Sequence, residues 1–203
     1  PGYFNFSYSN KDGKITLAVD KLDQEFLYVQ GLSSGVGSND IGLDRGQIGR
    51  ERIVKFKRAA NKLLLIQPNY AYRAISSNPA EKKAVEEAFS QSVLWGFNID
   101  KEENGVLFID LTPFIMQDAH DVAGRLESAR QGTYRLEASR SAVNLDRTKN
   151  FPKNAEFDVL LTFVGKPTGQ YIRSVTPSPE AVTVHQHHSF VKLPGPGYKT
   201  RKF

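Results

Sequence analysis

A chain of 203 residues, 39% hydrophobic and 24% charged, is long enough to bury a real core as one large domain or two small ones. Its 13 Phe, 8 Tyr and 1 Trp supply the burial that disordered chains lack, and no apolar run approaches the roughly 20 residues of a membrane-spanning helix. The absence of cysteine excludes disulfides, thiolate-held zinc, iron–sulfur clusters and cysteine nucleophiles, while a net charge of +5 permits an acidic partner without demanding one.

In chain order, Ile15, Leu17 and Val19 alternate with polar neighbours, and Glu25 to Gln30 follows after a polar break, so both segments read as half-buried strands. Gly31, Gly35, Gly37, Gly42, Gly46 and Gly49 then fall within nineteen residues, too many for an element interior, and mark a long loop. Arg52 to Lys57, with Val54 and Phe56 inward and Lys55 and Lys57 outward, Lys62 to Gln67 and Tyr70 to Ile75 read as three further strands.

A helix starts at Pro79, with Asn78 as N-cap, Glu81 three residues after the cap, and Val85, Ala88 and Phe89 as its apolar stripe. Ser92 to Asn98 and Val106 to Leu111 are strands. A second helix is expected from Thr112-Pro113 to about Gln131-Gly132, because Ile115, Ala119, Val122, Ala123 and Leu126 recur at helical spacing. The β pattern resumes at Tyr134 to Leu136, runs through Phe157, Val159, Leu161 and Phe163 in strict alternation, and continues at Tyr171 to Val175 and Ala181 to Lys192. Nine or ten short strands with about two α-helices predict an α+β fold around a largely antiparallel β-sheet. The expected domain spans 1–193, with a Pro/Gly and basic tail at 194–203. Pro1 is not a translation start and no signal-peptide pattern precedes it, so the expected object is a processed protein or a part of a longer one.

Each motif is open to a functional and a structural reading. The glycine loop could converge backbone N–H groups on a phosphate, but it lacks Gly-Lys-Ser/Thr and a following helix, so Gly35, Gly37, Asp44, Arg45 and Gly46 read as a structural loop, pinned by whatever Asp44 and Arg45 pair with. His185 and His187 lie two apart on a strand and could offer two imidazoles to one metal. No third ligand stands near them in sequence, and a polar strand face with Thr183 and Ser189 is the simpler reading; His120 stands apart. Asp110, Asp118 and Asp121 around the second helix start read as dipole partners and solvated surface. No Gly-x-Ser-x-Gly elbow and no His-Glu-x-x-His motif is present. The basic runs Arg45 to Lys62 and Arg140 to Lys153 have aromatic neighbours but also fit solvent-facing strand edges.

Five segments together carry a family resemblance: Gly35-Val-Gly-Ser-Asn-Asp-Ile-Gly-Leu-Asp-Arg-Gly-Gln-Ile-Gly49, Leu65-Ile-Gln-Pro-Asn-Tyr-Ala-Tyr-Arg-Ala74, Ala88-Phe-Ser-Gln-Ser-Val-Leu-Trp-Gly96, Arg140-Ser-Ala-Val-Asn-Leu-Asp-Arg-Thr-Lys-Asn-Phe-Pro-Lys-Asn154 and Gln186-His-His-Ser-Phe-Val191. They resemble the uncharacterised domain DUF5117, found upstream of the catalytic domain in bacterial met-zincin-type zinc-dependent metalloproteases. The resemblance implies a non-catalytic accessory domain of a periplasmic, cell-surface or secreted enzyme, with zinc held by the following domain and no cofactor here. Its implied partner is the catalytic metalloprotease domain of the same polypeptide, together with that enzyme's protein substrate; no nucleic acid and no membrane span is implied. In that setting Arg140, Arg147, Lys149 and Lys153 are candidates for interdomain contact. A polyanion- or glycan-binding β-rich module, using the face of Lys55 and Lys57, is the alternative from another class.

Overall fold

The computed structural model describes residues 2–72, 74–195 and 197–199. Its strands are β1 (Asn5–Ser9), β2 (Lys14–Val19), β3 (Glu25–Ser34), β4 (Ile48–Ala59), β5 (Lys62–Gln67), β6 (Ser92–Glu103), β7 (Val106–Asp110), β8 (Gly132–Leu136), β9 (Ala142–Val143), β10 (Lys149–Phe151), β11 (Asn154–Pro167) and β12 (Ala181–Lys192). The helices are α1 (Pro79–Ala88), α2 (Thr112–Ile115), α3 (Val122–Ser128) and α4 (Gln170–Val175). One sheet holds every strand in the order β1-β2-β7-β6-β5-β4-β3-β12-β11-β10, with β8 and β9 also paired to β11, and every pairing between these strands is antiparallel.

Period-2 alternation explains this sheet locally: Ile15, Leu17 and Val19 of β2 and Phe157, Val159, Leu161 and Phe163 of β11 all turn to one face and are fully buried. The sheet curls until its ends meet. Tyr3 N–H, just before β1, donates to the carbonyl of Phe151 on β10 at 2.8 Å, and Phe6 packs on Phe157. Inside the curl, Phe4, Phe26, Phe56 and Phe190 form a mutually touching group with ring centroids 5.2 to 6.4 Å apart. Such pairs add about 0.5–1.5 kcal/mol each beyond area burial, so the four rings are the mechanical centre of the fold.

Four segments depart from the sequence reading. The expected long second helix is two short ones. The Asp118 carboxylate accepts from Val122 N–H at 2.8 Å and Ala123 N–H at 3.0 Å, which starts α3 afresh, and Asp121 adopts φ +58° at the break. Tyr171 to Val175 is α4 rather than a strand; only Ile172 is buried in it, and the Gln131 side chain accepts its N–H at 3.0 Å. Tyr70 to Ile75, so far as it lies within the described residues, carries no strand and belongs to the excursion between β5 and β6. α1 begins as expected, Asn78 Oδ1 accepting from Ala80 N–H at 2.9 Å, but none of its residues is buried. Among the described residues there are four α-helices and a 3-10 turn at Ala138–Arg140 where about two helices were expected, in a predominantly antiparallel sheet. Among the described residues no helix is long and apolar enough to cross a membrane.

Candidate functional site

β12 divides its residues strictly. Val182, Val184, Gln186, His188 and Phe190 face the core, while Thr183, His185, His187 and Ser189 face outward. On the neighbouring β11, Glu156 and Asp158 occupy outward positions, and the ladder sets Asp158 directly across from His187 and Glu156 across from Ser189. His187 Nδ1 donates to Asp158 Oδ2 at 3.1 Å and Nε2 donates to Glu156 Oε2 at 2.7 Å. An imidazole with both nitrogens donating is an imidazolium. The hydrogen bond to Asp158, then that to Glu156, outweigh burial and raise the His187 pKa to about 9.

Asp158 is itself fully buried. Besides His187 it accepts from Ser33 Oγ of β3 at 2.5 Å, from Asn144 Nδ2 at 2.8 Å and from His185 Nδ1 at 3.2 Å. Burial pushes its pKa up, but these donors, led by His187, overcome that and hold it at about 2. Glu156 behaves alike: burial raises its pKa, and the hydrogen bonds from His187, Ser189 and Asn154 bring it below the ordinary value. One carboxylate thus ties together β3, β11, β12 and the segment between β9 and β10. Beside it runs a shallow groove of about 300 Å³, bordered by Val29, Gly31, Ser33, Ile48, His187 and Ser189.

Chemically this is a fixed charge cluster. A general base needs a free imidazole lone pair, and His187 has both nitrogens committed; Ser33 and Ser189 donate to carboxylates rather than to an imidazole. Nor does it fit zinc, whose ligands must be deprotonated. Among the described residues no group of three or more His, Asp and Glu is placed to hold a metal ion.

A second polar network lies on the inner face. His188 Nε2 lies 3.0 Å from the Ile115 carbonyl and 2.9 Å from Gln186 Nε2, and its Nδ1 shares a 2.9 Å hydrogen bond with the Tyr28 hydroxyl. Burial, opposed in part by the Ile115 carbonyl, lowers the His188 pKa to about 4, and burial raises that of Tyr28. Gln186 Oε1 accepts from the backbone N–H of His120, whose ring nitrogens lie 2.9 Å from Gln30 Oε1 and 3.1 Å from Gln47 Oε1. Burial, with the Arg125 charge second, lowers the His120 pKa as well.

The remaining candidates lie elsewhere. Gly31 to Ser34 and Ile48-Gly49 belong to strands, leaving residues 35–47 as the loop. Gly35 passes so close to the Leu43 carbonyl that a Cβ there would sit 2.1 Å from it, and Gly37 and Gly46 adopt φ +87° and +81°. The Arg125 guanidinium reaches the Gly42 carbonyl at 3.3 Å; among the described residues Asp44 and Arg45 make no ion pair or side-chain hydrogen bond. Arg140, Arg147, Lys149 and Lys153 are exposed along the short β9–β10 side of the sheet, Lys149 opposite Glu156 in the ladder. The basic run from Arg45 splits up: Arg52 lies over the Tyr28 ring, Arg58 pairs with Glu102 at 2.9 Å and Lys55 with Asp23 at 3.4 Å. Asp158, Glu156, Ser33 and Asn144 escaped the sequence reading. The detectable signal was phase, since two acids at outward positions of one strand could face two histidines at outward positions of another.

Residues 46–203 match the family model of a domain of unknown function, DUF5117. No curated protein and no solved structure matches the chain.

Proposed function

Because the chain belongs to the DUF5117 family, we propose that it is a non-catalytic accessory domain of an exported bacterial zinc-dependent metalloprotease, packing on the protease domain and shaping substrate access. The observation that carries the non-catalytic part is the state of the outward histidine pair. His187 is spent as a cation between Asp158 and Glu156, so the cluster fastens strands rather than presenting an open ligand set or a base. The link to a protease rests on the sequence resemblance. In this reading zinc and its ligands belong to the following domain, and Arg140, Arg147, Lys149 and Lys153 lie where that domain packs.

The test uses the purified chain with zinc and a general protein substrate such as casein. The expected outcome is no stoichiometric zinc and no cleavage; stoichiometric zinc accompanied by cleavage overturns the reading. Limited proteolysis addresses the packing: residues 140–154 should be protected in the longer polypeptide relative to this chain, and equal cleavage in both counts against the contact.

A further inference from the structure

α1 stands away from the body it belongs to. A ten-residue helix is marginal alone, and most helices persist by burying an apolar face, yet α1 buries nothing. Between it and the outer face of β4 lies an open cleft of about 910 Å³, with Lys57 on the β4 side and Lys82 and Val85 on the helix side. A second hollow of about 460 Å³ adjoins it across Pro68, Asn69 and Tyr70, so the two form one extended groove. Of eleven large apolar side chains exposed among the described residues, four (Tyr70, Tyr72, Ile75 and Phe89) fall in this excursion and a fifth, Val93, follows it at the start of β6. Tyr72 and Phe89 stack face to face, centroids 3.7 Å apart, which fixes an aromatic rim.

The charges in the cleft select the occupant. Lys55 is paired with Asp23, Lys83 with Glu87, and Glu25 accepts from the Tyr70 hydroxyl. That leaves Lys57 and Lys82 with no carboxylate in ion-pair distance among the described residues, against the single carboxylate of Glu86. We infer that this groove docks an acidic polypeptide segment that also carries an apolar side chain, its carboxylates meeting Lys57 and Lys82 and its apolar group covering Val85 and the Tyr72–Phe89 rim. Aromatic, apolar-rimmed grooves with sparse charge suit polypeptide partners. A polyanion is disfavoured because only Lys57 and Lys82 of the lining lysines lack a carboxylate partner among the described residues, too few to meet dense negative charge with Glu86 beside them, and a neutral glycan has no use for two such ammonium groups.

Titration of the chain with a short synthetic peptide alternating Glu and Leu tests this, alongside the same peptide with Lys for Glu, and heparin. The acidic peptide should bind, more weakly as salt rises, and slow amide hydrogen exchange in α1. The double variant K57E/K82E should weaken it by about tenfold or more, while the arginine double variant K57R/K82R retains it. Both lysines are exposed, so circular dichroism should confirm that every variant is folded. Equal binding of the Lys peptide, or equal affinity of K57E/K82E for the acidic peptide, overturns the inference. So does heparin binding that is lost in K57E/K82E while the acidic peptide fails to bind, which assigns the groove to polyanions.

Discussion

Two imidazoles one residue apart on β12 lie on opposite faces of the sheet and in opposite charge states. His187 looks outward into two carboxylates and holds its proton up to about pH 9; His188 looks into the aromatic core, between Tyr28 and the Ile115 carbonyl, and stays neutral down to about pH 4. The difference lies in whether the partners that strand pairing delivers are anions or neutral dipoles. The outer cluster is a place where removing one partner strands several charges, while the inner network loses single hydrogen bonds between neutral groups.

The largest effect should come from Asp158→Ala. It leaves the His187 imidazolium, Ser33 and Asn144 facing a void, and a broken buried pair of this kind costs about 3–5 kcal/mol, read from urea unfolding at neutral pH. A loss under about 1 kcal/mol would show the cluster to be solvated instead.

Next in size is the pH dependence. The His187 pKa is raised above its unfolded value of about 6.5, so its contribution is complete below that pH and is lost as pH rises through about 9. That of His188 is lowered, so its contribution is complete above about 6.5 and is lost as pH falls toward 4. Stability should therefore peak near pH 6.5 and fall on each side by on the order of 3 kcal/mol. His187→Gln should flatten the alkaline limb and leave the acid limb above pH 4 in place, whereas His188→Gln should reduce that acid limb and leave the part carried by His120, whose pKa burial also lowers, in denaturation curves taken across pH. If either variant flattened both limbs, the two networks would not be independent.

Tyr28→Phe removes one neutral hydrogen bond, that to His188 Nδ1, and should cost about 1–2 kcal/mol. The smallest global effect belongs to the excursion outside the sheet. Asn78→Ala should fray the start of α1, seen as faster amide exchange there, and leave the melting temperature unchanged because α1 buries nothing. A drop of several degrees would place α1 within the cooperative unit after all.

Much of the sheet was legible beforehand. β5 and β12 lie where alternation put them, and Val54 and Phe56 are buried as read, since burial on a pleated strand follows a period of two that any single strand displays. Local competition explains the misreadings. Asp118 interrupts a helical pattern of apolar residues by capping a new helix within it, and the Gln131 side chain helps fasten a short helix over Tyr171 to Val175. The site was half legible: His185 and His187 were visible as a pair, while the acids that define them lie 27 to 31 residues earlier in the chain.

By itself the sequence determined the strand faces, the start of α1, the crowded glycine turn and the family. Only the tertiary structure decided that the sheet closes on itself through Tyr3 and Phe151, that α1 buries none of its stripe and turns Val85 to a cleft, and that His187 is a cation and His188 is not. The reason is physical: alternation and capping are set within a few residues, whereas register across β11 and β12 and the charge of a buried imidazole depend on neighbours brought from far along the chain.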